Sequence, residues 1–254
     1  MKELLKMNLK LICLYIISIL FFFYSATSIA QEDGDADYEQ VSDSIFYKDK
    51  YGLTVSLDLS RIGQSFWDSE YQGIELAADY RFSENLYIAG ELGNEKATYD
   101  NENLLNETDG SYIKLGVNYN VYDNWIGMNN LIYVGFRYGF ATYSQNLQSF
   151  RIYTTDDYFP PDVRDENTTF GNLTANWVEL QAGLRVNIFG NFFLGAHIQL
   201  KNMISTTDIQ NFDNLYVPGF RRTFDNSSIG AGWGYSISYL IPIYSKTKTQ
   251  AVDN

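Results

Sequence analysis

The stretch "NNLIYVGFRYGFATYS", Asn129 to Ser144, decides how this chain folds. Read by alternate residues, it separates into two faces. Ile132, Val134, Phe136, Tyr138 and Phe140 share one; Tyr133, Gly135, Arg137, Gly139 and Ala141 share the other. Side chains two apart lie on the same face of a strand, so one face is greasy and the other small or charged. A water-washed sheet face would carry Lys, Glu and Thr, not glycine with a single arginine. The pattern asks for grease outside and a crowded interior.

Seven more segments repeat it. With this one they run near 51–60, 72–82, 86–95, 111–122, 131–144, 175–189, 192–204 and 228–241. Most are about the 9–11 residues that a tilted strand needs to cross a bilayer. Their connections alternate in length. Residues 83–85, 123–130 and 190–191 are short links, whereas 61–71, 96–110, 145–174 and 205–227 are long. Short turns at one end and long loops at the other are the layout of an outer-membrane barrel with both termini in the periplasm. The expected fold is therefore all-β: an eight-stranded antiparallel up-and-down transmembrane β-barrel.

A soluble eight-stranded barrel shares the alternation but turns its apolar face inward. The second face decides between them, because it is rich in glycine (73, 93, 116, 135, 139, 183, 195, 230, 232 and 234). An eight-stranded interior is just wide enough for side chains to fill, which suits small residues. Arg137 then points into the lumen, since an arginine facing lipid at the midplane costs about 2–4 kcal/mol. The same face supplies Asp58, Glu75, Asp79, Glu91 and Glu179 against Arg81, Lys114, Arg137, Arg185 and Lys201. Charges in so narrow a space must be paired to be tolerated, so a structural, interlocked charge network is expected. A polar conduit for ions is the competing reading.

The ends fit an exported protein. "MKELLKMNLK" is basic, an apolar run follows from Leu11 to Tyr24, and "SATSIA" offers a small-residue cleavage site. Residues 1–30 read as a secretory signal peptide, with an uncleaved anchor as the alternative. Residues 31–50 read as an acidic periplasmic linker, 51–244 as the barrel and 245–254 as an unstructured tail. The single cysteine, Cys13, lies in the leader, so the processed chain has no disulfide and no thiolate chemistry. Removing three lysines and one glutamate from the formal −13 leaves −15, which argues against nucleic acid.

No HExxH, nucleophile elbow or P-loop is present, and no catalytic, cofactor-binding or metal site is assigned. His197 falls in the lumen between Gly195 and Gln199, about mid-strand, and reads as a satisfied interior histidine. Loop 145–174 clusters Asp156, Asp157, Asp162, Asp165 and Glu166, but without the spacing of a calcium loop it reads as a solvated acidic loop. The segment "NFDNLYVPGFRRTF" is more apolar than an exposed loop needs, and suits a cover for the barrel mouth or a partner patch. Its Arg221–Arg222 pair suits lipopolysaccharide phosphates.

"YGLTVSLDLS", "GSYIKLGVNYNVYDNWIGMNNLIYVGFRYGFATYSQ", "NFDNLYVPGFRRTFDN" and "SISYLIPIY" together resemble an uncharacterised, porin-like family of Bacteroidota outer-membrane β-barrels, known only as a domain of unknown function. The resemblance spans about residues 45–244. It implies the envelope location and the barrel class, and carries no activity and no site residues. The expected function is a non-enzymatic barrel with a charge-plugged lumen, acting in envelope structure or surface interaction through its loops. A small-solute channel is the alternative, and a lipid-modifying enzyme a distant third. Expected partners are outer-membrane lipid and lipopolysaccharide, the barrel insertion machinery and an envelope protein.

Overall fold

The structure, a computed structural model, describes residues 40–41, 44–122, 128–152, 162–210, 212–224 and 227–251. The signal peptide, most of the linker and Asp156–Asp157 lie outside the described residues. Two units divide the chain, Lys48–Lys248 and a smaller one of Met1–Tyr47 with Thr249–Asn254. In the smaller unit β1 (Gln40–Val41) pairs with the first residues of β2 (Ser44–Asp58), Gln40 opposite Ile45.

The larger unit holds β2 from Lys48 on, β3 (Tyr71–Arg81), β4 (Leu86–Asn101), β5 (Leu104–Asn120), β6 (Leu131–Arg151), β7 (Val163–Phe189), β8 (Phe192–Thr206) and, as far as Lys248, β11 (Ile229–Ala251). Each pairs antiparallel with its neighbour in the chain where a register is seen, and β2 pairs with both β3 and β11. The sheet is thus a closed up-and-down ring, without the open edges that a membrane would punish. Two short strands, β9 (Tyr216–Val217) and β10 (Arg221–Arg222), pair within the β8–β11 connection.

The two faces are inverted relative to a soluble protein. On β5, Lys114 is fully buried while its neighbour Leu115 is 59% exposed. The same inversion separates Glu91 from Leu92, Arg137 from Phe136 and Lys201 from Leu200. Aromatics gather near the short 190–191 turn, where Phe189, Phe192 and Tyr239 pack at 5.0 and 4.8 Å. Such a cluster marks a bilayer interface.

Three boundaries differ from the sequence expectation. Residues 96–101 and 104–110 are strand, so the β4–β5 hairpin turns through residues 102–103 alone, and β6 and β7 likewise run far into 145–174. Strand also begins at Ser44 and continues to Ala251, which replaces parts of the linker and of the unstructured tail. Polar residues in these stretches hide the alternation, because beyond the bilayer the outer face meets water. Finally, α1 (Leu59–Trp67) takes the last two residues of the expected 51–60 strand and much of the 61–71 connection.

Helix α1 starts where it does because the Asp58 side chain caps it, accepting from the Ser60 and Arg61 amides at 2.7 and 3.1 Å. Its position in the wall is unusual. β2 pairs with β3 only from Leu53–Tyr80 to Leu57–Leu76, and Ser56 meets Ser238 of β11 at 2.8 Å. Above that level α1 stands between β3 and β11. The Gly73 amide of β3 donates to Ser65 on the helix (2.9 Å), and Tyr235 of β11 reaches Gly63.

Candidate functional site

The lumen is filled by charge. Glu95, Arg61, Glu75, Lys114, Glu91 and Arg137 form one chain of ion pairs, and Glu179 and Lys201 branch from Lys114. Lys114 lies at the centre, 2.6 Å from Glu91, 3.2 Å from Glu75 and 3.7 Å from Glu179. Arg137 Nε donates to Glu91 at 2.9 Å. Four bases therefore face four acids, all buried. Neutral donors complete the shell: Tyr112 gives to Glu75 (2.5 Å), Tyr71 to Glu95 (2.8 Å) and the Trp177 indole to Glu179 (2.6 Å). Buried carboxylates hold their charge only with such saturation.

Of the ten residues expected in the lumen, six belong to this network: Glu75, Glu91, Glu179, Lys114, Arg137 and Lys201. Asp79 and Arg185 form a separate bidentate pair at 2.5 and 3.2 Å, nearer the short turns. Arg81 pairs with Asp49 at 2.8 Å and lies over the Tyr51 ring. Asp58 departs from the expectation. It has no ion pair among the described residues and instead caps α1. Sequence reasoning missed Glu95, the last residue of the expected 86–95 strand and one alternation beyond Gly93. It missed Arg61 because Leu57 and Leu59 continue the strand alternation through the helix start.

The mouth is closed by the β8–β11 connection. Val217, Pro218, Gly219 and Phe220 are buried, with Val217 and Phe220 against Tyr112, Tyr143, Leu173 and Trp177. The rings of Trp177 and Phe220 meet edge-on at 6.2 Å. Gly219 holds φ +83° with Tyr112 and Trp177 against it, a place only glycine fills without strain. Its amide donates to Glu95 (2.9 Å), and Lys201 donates to its carbonyl (2.6 Å), so the plug is tied to the network beneath. Tyr216 also donates to Glu95 (2.7 Å), and burial pushes its hydroxyl pKa up, which keeps the donor protonated. Arg221 bonds Gln64 of α1 at 2.8 Å, while Arg222 remains exposed beside Tyr99. His197 faces a chamber under the network and contacts Gln199 at 2.9 Å.

An antiparallel ring of eight strands, apolar outside and charged inside, defines a β-barrel of the up-and-down membrane class. A family model described as a domain of unknown function (DUF6048) matches residues 12–246, and the chain belongs to that family. Among solved structures, the chain is similar to the attachment invasion locus protein Ail of Yersinia pestis, at 11% identity over 78% of this chain and 99% of that one, with a TM-score of 0.36. Neisserial surface protein A is similar at 12% identity over 77% and 96%, TM-score 0.40. Acinetobacter baumannii CarO2 is similar at 9% identity over 76% and 99%, TM-score 0.39. No curated protein matches the sequence.

Proposed function

We propose that this protein is a non-enzymatic outer-membrane β-barrel with a sealed lumen, which acts through its loop-end surface in envelope structure or surface interaction. One observation carries this reading: the eight-residue ion-pair network is continuous and is capped by a plug bonded to it. An open conduit needs mobile, hydrated charges, whereas these are fixed by partners on several strands. The leader directs export, the insertion machinery places the barrel, and the exposed Arg222, held against Tyr99, meets lipopolysaccharide phosphate. The Bacteroidota affiliation rests on the sequence resemblance.

The test is planar-bilayer recording of the refolded protein. Negligible conductance is expected. Regular, ion-selective steps would replace this reading with a small-solute channel, the alternative that the chamber beneath the network favours.

A further inference from the structure

The chamber is about 60 Å³, room for a few waters. His197, the one histidine of the chain, borders it, as does Asp58. They meet at Gly234 of β11, where a Cβ would sit 2.8 Å from Asp58 Oδ2 and 2.8 Å from His197 Nε2. The two side chains are thus within the roughly 4–6 Å over which opposite charges couple. The missing side chain at Gly234 leaves the space between them clear.

Asp58 has one oxygen to spare, and His197 holds its Nε2 as an acceptor. All three cap bonds of Asp58, from the Ser60 amide, the Ser60 hydroxyl and the Arg61 amide, end on Oδ1. Oδ2 has none. His197 Nε2 faces the Gln199 amide nitrogen at 2.9 Å, a donor, which suits the neutral ring. Protonation of the ring would set two donors against each other and send Nε2–H in search of an acceptor.

The other charges around His197 are engaged. Glu91 on β4 is held by Lys114 and Arg137, and Glu75 on β3 by Lys114 and Arg61. Asp79 on β3 is held by Arg185 of β7, and Tyr133 on β6 is a neutral phenol. Asp58 is the one carboxylate lining the chamber without an ion pair among the described residues.

We propose that Asp58 and His197 form an acid-operated latch: protonated His197 draws the Asp58 carboxylate from the start of α1 and loosens the helix that closes the wall between β3 and β11. The consequence reaches the plug through Gln64, the partner of Arg221, and the wall through Ser65, the partner of Gly73 on β3.

Hydrogen exchange of the segment 59–70 in the full barrel tests it, comparing variants at one pH so that intrinsic exchange cancels. At about pH 4.5, below the roughly pH 5–8 range over which histidines ordinarily switch, α1 of the parent should exchange several-fold faster than that of His197→Gln. At about pH 7.5 the two should agree. Asp58→Asn keeps a capping oxygen but removes the charge, so it should exchange slowly at both pH values. Asp58→Ala lacks the cap and should exchange fast at both. Equal acid responses in the parent and His197→Gln would overturn the latch, as would a full response in Asp58→Asn.

Discussion

Arg137 and Phe136 are neighbours in the chain and opposites in solvation. Arg137 Nε bonds Glu91, and its Nη1 donates to the carbonyls of Val117 and Phe136, both at 3.0 Å. Arg137→Ala strips these bonds and leaves Glu91 to Lys114 and Gln181 alone. Breaking a buried pair costs on the order of 3–5 kcal/mol, and the surviving Lys114 contact places this case at the low end. The folded form should unfold at a lower temperature on a semi-native gel while conductance stays low. A channel lumen would give the reverse, with stability kept and selectivity moved toward cations. Phe136→Arg sets a cation in lipid instead, at about 2–4 kcal/mol. It should lower the yield of inserted barrel, read as the folded fraction recovered from vesicles.

The elements that seal the barrel are a plug and a helix, and they differ in how far the sequence betrays them. Trp177 supports the plug twice, through its ring against Phe220 and its indole N–H on Glu179. Trp177→Ala should open a void beneath Phe220 at about 3–5 kcal/mol, and protease should then cleave within 207–224 of vesicle-borne protein while the parent resists. Unchanged resistance would mean that the plug is held by its polar ties alone. The plug's apolar run is legible in "NLYVPGF", since exposed loops do not accumulate such residues. Its partners are not, because Trp177, Tyr112 and Glu95 come from distant strands. Helix α1 is harder still. Its capping aspartate falls on the lumen phase of β2, so one residue satisfies both the strand pattern and the helix start. Alternation alone cannot tell them apart.

At the scale of the molecule, period-two reading succeeds wherever lipid faces the wall and fails where water does. Strands β6 and β7 have 21 and 27 residues, against the 9–11 or so that a bilayer crossing uses. β8 covers β7 only as far as Ala175, opposite Thr206, so among the described residues no strand pairs with the outer part of β7 on that side. Asn167 and Asn172 adopt φ of 48° and 57° there, beside two register shifts against β6. Bulges of this kind break an edge that would otherwise pair with another chain. The excess length of β6 and β7 lies at the end bearing α1 and the plug, and the 82–85 and 190–191 turns join their strands with almost none. That asymmetry is the physical basis for placing the long hairpins outside the cell, since short turns are the periplasmic feature of such barrels. An epitope inserted at the 102–103 turn should be labelled on intact cells. The same epitope in the 83–85 turn should be labelled only after permeabilisation, because that turn joins two strands with almost no overhang. Labelling of both on intact cells would place the barrel elsewhere than the outer membrane or leave it uninserted. The reverse pattern would invert the barrel and assign the plug to the periplasmic side.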